Sequence, residues 1–122
     1  MYNLIFQIEK DKTKADIINE IQDQLKLLED QELKVKIGNL IVDPILYYAI
    51  WDYSDTHDKY PCWLIIKSEK DDTGIIYSEY GFSFGNWGLV KLSDHPFHFG
   101  ADYNWFSTLE EAFLNSWMND KD

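Results

Sequence analysis

The feature that most constrains the fold of this chain is the continuous apolar run at residues 61–67, which reads Pro-Cys-Trp-Leu-Ile-Ile-Lys. An apolar run of this length without helical periodicity, bounded by turn-forming residues, is typical of a strand buried on both faces. A short buried helix is the alternative, and the hairpin signals on both sides favour the strand. Pro61 is expected at the beginning of the strand, where it removes no donor from the interior of the sheet.

The sequence before this strand predicts a strand, a helix and an edge strand. Residues 2–9 alternate partly between apolar and polar side chains, which predicts a strand. Residues 12–30 begin with a capping pair and carry apolar residues at helical spacing, which predicts an amphipathic helix. Residues 35–42 are predicted as an edge strand, interrupted by a hairpin turn or a bulge at Gly38-Asn39.

Residues 45–92 are predicted to form an antiparallel meander of three or four strands. Residues 45–53 are apolar on both faces, as a central strand would be. A charged hairpin loop is expected at residues 69–74, and the glycines of residues 81–88 indicate a bulge or turn. The remaining strands of the meander are predicted at residues 61–67, 75–80 and 87–92.

The end of the chain completes the predicted fold. Residues 93–104 are predicted as a loop, and Ser107-Thr108-Leu109-Glu110 is a capping box that begins a closing helix. We therefore expect a single α+β domain over residues 1–122. Its architecture would be a curved antiparallel β-sheet of about five to six strands, with an N-terminal and a C-terminal α-helix packed on it.

The charge balance limits the possible partners. The chain has 22 acidic residues and 11 basic ones, which gives a formal net charge of -11, and every basic residue is lysine. Such a surface repels nucleic acid and anionic membranes, and it lacks the side chain best suited to bidentate phosphate binding. Acidity alone also supports solubility, so a solubility role and a role in binding a basic partner both stay open.

The sequence favours the cytoplasm. No apolar run approaches the ~20 residues that span a bilayer, and the first residues show no secretory signal pattern. The single cysteine cannot form an internal disulfide bond.

Metal-binding and catalytic interpretations are weaker than ordinary structural ones. Asp52, Asp55, His57 and Asp58 cluster, but they do not match a calcium loop, so a solvated connection is favoured. His95 and His98 share a loop, and Pro96 between them excludes the helical spacing of zinc ligands.

Cys62 is interpreted as a small buried hydrophobe rather than a nucleophile. No metal or cofactor is expected. A small metal-dependent or Cys/His hydrolase remains an alternative function, and it would use His57, His95, His98 or Cys62.

Acidic residues also stand near both predicted helix ends, where negative charge opposes the helix macrodipole. Two such violations of a local rule hint at a functional surface, while frayed, exposed ends are the structural alternative. The residues concerned are Glu29, Asp30, Glu32, Asp120 and Asp122.

Three blocks carry a resemblance to a known class of proteins: Trp51-Asp52-Tyr53, Gly85-Asn86-Trp87-Gly88 and residues 106–113. With these blocks, its size and its acidity, the chain resembles bacterial toxin immunity proteins, including those of contact-dependent growth inhibition and other polymorphic toxin systems. The resemblance implies a cytoplasmic α+β protein that is not an enzyme. It would bind a cognate basic toxin domain of the nuclease class and occlude its active site.

Two acidic loops that bracket the central strand are the expected contacts, with an aromatic anchor. Only one loop needs to lie in the interface, and the first is preferred, with Trp51 or Tyr53 as the anchor. The predicted partner-binding residues are Trp51, Asp52, Tyr53, Asp55, Asp58, Asp71 and Asp72. An acidic phage-type inhibitor or DNA mimic is a further alternative that differs only in its target.

Overall fold

The computed structural model describes residues 12–51, 59–79, 85–94, 98–99, 104–116 and 118, and the predicted strand at residues 2–9 lies outside them. The described helices are α1 (Lys14–Leu27), α2 (Gln31–Leu40), a 3-10 helix (Leu92–Asp94) and α3 (Leu109–Leu114). The described strands are β1 (Ile41–Trp51), β2 (Lys59–Ser68), β3 (Thr73–Tyr77), β4 (Trp87–Lys91), β5 (His98–Phe99) and β6 (Asn104–Phe106). No helix in these ranges is long and apolar enough to cross a membrane.

The strands form one sheet in the order β5-β1-β2-β3-β4-β6. Strands β1 to β4 are sequential antiparallel neighbours, which confirms the predicted meander and the α+β class. Strand β6 extends the antiparallel order beside β4, whereas the short β5 pairs with β1 in the parallel direction. The sheet is therefore antiparallel except at one edge.

Strand β2 is the buried strand that the sequence predicts. Cys62 and Leu64 face one side of the sheet, and Ile65 and Ile66 both belong to the core on the other side. They do so because the register with β3 shifts between Leu64 and Ile66, and a bulge of this kind turns two neighbouring side chains toward one face.

The proline in β2 is not at the first position of the strand. Strand β2 begins at Lys59, and Pro61 is paired with Tyr48 of β1. The pairing of β2 with β3 starts only at Trp63, so Pro61 lies beyond the ladder on that side. The prediction was wrong by two residues, and its physical reason still holds, because Pro61 does not interrupt the β2–β3 ladder.

Both faces of the sheet are covered by apolar side chains. The larger core lies between the sheet and the helices, and its buried helical residues are Ile17, Ile21, Ile37, Leu109, Ala112 and Phe113. The smaller core on the opposite face contains Cys62, Leu64, Ile76 and Val90, with Trp105 packed against them. A Cβ atom on Gly88 would lie 2.9 Å from ring carbons of Trp105, so glycine allows this ring to lie close to β4.

The predicted edge strand at residues 35–42 is wrong for most of its length, because residues up to Leu40 belong to α2. Asp30 caps this helix, accepting hydrogen bonds from the backbone N–H groups of Glu32 at 3.0 Å and Leu33 at 3.2 Å. Ile37 is fully buried, and Gly38-Asn39 lies in the last turn of the helix rather than in a hairpin turn.

The two predicted capping sites are close to correct. The side chain of Thr13 accepts a hydrogen bond from the backbone of Asp16 at 3.2 Å, and the carboxylate of Asp16 accepts one from the backbone of Thr13 at 3.0 Å. At α3 the cap is Thr108, which accepts from the backbone of Glu111 at 3.1 Å, so the predicted box begins one residue too early. Ser107 instead donates a side-chain hydrogen bond to the carboxylate of Glu111.

Strand β1 does not occupy the central position that its two apolar faces predict. It is the second strand of the sheet, and its outer neighbour β5 pairs with it only at Ile50 and Trp51. Three large apolar side chains of β1 are exposed, namely Ile45, Leu46 and Tyr48. Among the described strands, the apolar pattern of β1 is therefore not explained by a position between two long neighbours.

The packing of α2 leads to a stability prediction. Replacing the fully buried Ile37 with alanine leaves a cavity beneath α2 and is expected to lower the free energy of unfolding by about 2–5 kcal/mol. Val35→Ala on the same helix is the matched control, since Val35 is 60% exposed, and we expect a change within about 0.5 kcal/mol. Urea denaturation measures both, and equal losses would contradict the described burial.

Candidate protein-binding surface

The first predicted acidic loop lies largely outside the described residues. Asp52, Tyr53, Asp55 and Asp58 belong to this undescribed part of the chain. Trp51 is the last residue of β1, and its backbone is paired with that of Phe99 in β5. The loop therefore follows directly from the end of β1 at which the short parallel strand lies.

The second predicted loop is the turn between β2 and β3, and both of its aspartates are engaged within the chain. Asp71 accepts a hydrogen bond from the hydroxyl group of Ser68 at 2.8 Å. Asp72 accepts two hydrogen bonds from Ser93, one from the backbone N–H at 2.9 Å and one from the hydroxyl group at 2.8 Å. These contacts tie the turn to the 3-10 helix.

The two predicted loops are separated in the chain by β2. They lie at opposite ends of β2, which has 10 residues. At the usual rise of a strand, these ends are roughly 30 Å apart. A single small interface is therefore expected to lie at one end of β2 or the other, as the sequence-based expectation allowed.

Besides the carboxylates that accept hydrogen bonds within the chain, the described surface carries two further groups. Some are neutralised by lysine: Lys12 bridges Glu20 and Glu79, Lys14 pairs with Asp43, and Lys67 pairs with Glu69. Others make neither an ion pair nor a hydrogen bond with any residue in the described ranges. These are Asp23, Glu29, Glu32 and Glu110.

These four carboxylates and Leu27 define a helical acidic surface. Leu27 is 65% exposed, and Asp23 lies one turn before it on the same face of α1. The side chain of Gln24 accepts a hydrogen bond from the backbone of Leu109 at 2.9 Å, which brings the start of α3, with Glu110, next to α1. An exposed apolar side chain with a carboxylate on the same face offers apolar area together with charge that attracts a basic partner.

The structure corrects the reasoning about acidic helix ends. Asp30 is the N-cap of α2 and Glu32 lies in its first turn, where negative charge is favourable. The rule is therefore satisfied at these two residues, and Asp120 and Asp122 lie outside the described part. Sequence reasoning missed Leu27, because a leucine in an amphipathic helix is ordinarily expected to face the core.

An ionic cluster fixes the beginning of α1. The ammonium group of Lys12 lies 3.1 Å from Glu79 and 3.2 Å from Glu20. Burial alone lowers the pKa of Lys12, but hydrogen bonds to these two carboxylates outweigh it and raise that pKa above its usual value. Burial and the same two carboxylates raise the pKa of the neighbouring Tyr77 to about 12. The side chains of Lys12, Glu20, Tyr77 and Glu79 therefore form one interacting cluster.

The residues proposed for an enzyme are not gathered into a site within the described ranges. Cys62 is fully buried, and burial raises the pKa of its thiol to about 12, so the thiol carries a proton at neutral pH. His57 and His95 lie outside the described residues, and of His98 only the backbone is described, in β5. Across the part of the chain that the structure describes, no three His, Cys, Asp or Glu residues are grouped to hold a metal ion.

Comparison with protein-family models, with curated proteins and with solved structures gave no match to this chain.

The contacts of Asp72 lead to a prediction about its structural role. Asp72 has a φ angle of 51°, so Asp72→Ala loses both hydrogen bonds to Ser93 and leaves alanine in the left-handed region. We expect the free energy of unfolding to fall by about 1–3 kcal/mol. Asp72→Asn should retain most of the stability, because asparagine tolerates this conformation.

Lys70→Ala is the control in the same turn, with an expected change within about 0.5 kcal/mol. Urea denaturation of the three variants is the measurement. A stable Asp72→Ala variant would show that the contacts with Ser93 contribute little.

The buried thiol leads to a prediction about pH. Above pH 9 the thiol ionises in the unfolded chain but stays protonated in the folded one, so its contribution to stability is lost as the pH rises toward 12. The free energy of unfolding should therefore fall more steeply above pH 9 than it does in a Cys62→Ala variant, by up to about 1.4 kcal/mol per pH unit.

Alkylation with iodoacetamide at pH 8 gives an independent check. It should be roughly a hundredfold or more slower in the folded protein than in the denatured chain. Rapid alkylation of the folded protein would instead favour a reactive cysteine.

Proposed function

We propose that this protein is a cytoplasmic immunity protein that binds a cognate basic toxin domain of the nuclease class. In this proposal it occludes the active site of the toxin and has no catalysis or cofactor of its own. The toxin system is of the polymorphic type, which includes contact-dependent growth inhibition. The proposal rests on the charge of the surface and on the resemblance carried by the three sequence blocks.

The observation that carries the proposal is the unneutralised negative charge. The net charge is -11, and no carboxylate of the helical acidic surface forms an ion pair with a lysine among the described residues. Uncompensated charge of one sign attracts a partner of the opposite sign over about one Debye length and raises the association rate. A basic toxin domain is the partner that gains most from such a field.

The favoured contact is the loop after β1, with Trp51 or Tyr53 as its anchor and Asp52, Asp55 and Asp58 as its charges. The alternative loop is less suited to this role, because Asp71 and Asp72 already accept hydrogen bonds within the chain. A carboxylate that already accepts hydrogen bonds within the chain gains less from hydrogen bonds with a partner than a carboxylate without such contacts. The helical acidic surface acts at longer range, by steering the toxin.

The experiment that tests the function is co-expression with the product of the gene immediately upstream. The expected result is a complex with a basic toxin domain whose activity disappears on binding, and whose affinity falls as salt is raised. The alternatives predict other outcomes. Stoichiometric metal in the purified protein, without any partner, would favour the hydrolase, and inhibition of a phage or host DNA-binding protein would favour the DNA mimic.

Two double charge reversals with the same change in net charge test the site. Asp52→Lys with Asp55→Lys should weaken toxin binding tenfold or more, because it removes direct contacts. Asp23→Lys with Glu32→Lys should lower mainly the association rate, because it changes only the steering field. Surface plasmon resonance separates the rates.

The two reversals also decide between the surfaces. Unchanged affinity in the first variant would contradict the assignment to residues 52–58. A larger loss in the second would move the site to the helical acidic surface. Equal losses would mean that only total charge matters.

A further inference from the structure

The outer edge of β1 is the most unusual surface of the described fold. Its parallel neighbour β5 covers Ile50 and Trp51, and no other described strand lies beside Ile45, Leu46 or Tyr48 on that side. An open edge presents backbone donors and acceptors that a further strand can pair with. Among the described residues, the edge therefore has the backbone geometry for one additional strand.

Apolar side chains project from both faces of this edge. Leu46 is paired with Trp63 and Tyr48 with Pro61, so both lie on the helix side, and they are 41% and 56% exposed. Ile45 is paired with Leu64 on the opposite face and is 40% exposed. An added strand would cover apolar surface on both faces as well as complete the backbone pairing.

Charge decides which strand fits. Residues 44–51 carry no charge at all, and the preceding Asp43 is neutralised by Lys14, whose ammonium group lies 2.6 Å from its carboxylate. Natural edges are usually guarded by charged residues, and here only the proline at position 44 serves as a guard. A basic partner gains no electrostatic advantage from this uncharged segment, whereas two copies with a net charge of -11 repel each other less there than at a charged segment.

We propose that β1 pairs with β1 of a second copy of this chain, in antiparallel orientation about a two-fold axis. Such an interface is self-complementary. In the register that places Leu46 of one copy opposite Tyr48 of the other, the two-fold axis repeats this pair, so both side chains of both copies are covered. The pairing is short, because β5 occupies the edge at Ile50 and Trp51. The dimer is therefore weak, with a Kd on the order of 10–100 µM.

Sedimentation velocity from about 5 µM to about 500 µM protein tests the proposal. The expected result is a monomer at the low end, a dimer at the high end, and stronger dimerisation in about 0.5 M than in about 0.02 M NaCl, because salt screens the repulsion between acidic copies. This salt dependence is opposite to the one expected for the toxin complex. The two proposals therefore fail independently.

Tyr48→Lys places a charge on the open edge and should weaken dimerisation tenfold or more. Val35→Lys is the matched control, because it makes the same charge change at an exposed apolar residue of α2, outside β1, and should dimerise like the unmodified chain. Ile45→Lys, on the other face of β1, is the second edge variant. It should also weaken dimerisation, and it keeps the test valid if Tyr48→Lys does not fold. Far-UV circular dichroism confirms that each variant is folded.

Amide hydrogen exchange gives a second measurement. Exchange in β1 should slow as the concentration of the unmodified chain rises, and this slowing should be lost in Tyr48→Lys. A monomer at every concentration, or equal effects of Tyr48→Lys and Val35→Lys, would overturn the proposal. So would loss of toxin binding in Tyr48→Lys with self-association unchanged, which would assign the edge to the toxin.

Discussion

The described fold depends on a strand that is buried on both faces. Strand β2 contributes Cys62 and Leu64 to one core and Ile65 and Ile66 to the other, so neither face of the sheet can be left to water. The three α-helices of the described ranges cover one face. On the other, the ring of Trp105 approaches β4 closely, because Gly88 has no side chain. The bulge at Ile65 adds a second isoleucine to the helix side, where the larger core needs it.

The elements around β2 were predictable because their signals are local. A long apolar run, a charged hairpin loop and a capping pair each depend on residues close in sequence, and they gave β2, the β2–β3 turn and α1 correctly. Helix α2 was missed because the alternation of Val35 and Ile37 is too short to distinguish a strand from the spacing of Leu33, Ile37 and Leu40 along a helix. The parallel pairing of β5 was not predictable, since it joins residues far apart in sequence without a local pattern.

The candidate site was predictable in its charge but not in its details. Composition reveals an excess of carboxylates, yet the availability of each one depends on its neighbours in space. Asp72 and Glu110 look equivalent in the sequence, but Asp72 accepts two hydrogen bonds from Ser93 while the carboxylate of Glu110 has no contact with a described polar group. The exposure of Leu27 likewise depends on how α1 lies on the sheet. A hydrophobic pattern predicts which face of a helix is buried on average, but it does not predict whether a residue at the margin of that face is exposed.

Strand β1 shows why an apolar pattern alone does not fix a position in a sheet. A strand is apolar on both faces when layers cover both of its faces, and also when its edge is kept free of charge for pairing with another strand. The sequence of residues 45–51 is compatible with both situations, and only the strand order of the sheet distinguishes between them. In a chain where acidic residues outnumber basic ones two to one, such a neutral segment stands apart from the remaining surface. Charge therefore distinguishes the two proposed surfaces: carboxylates attract a basic partner at long range, whereas an uncharged segment of the edge adds no repulsion between like-charged copies.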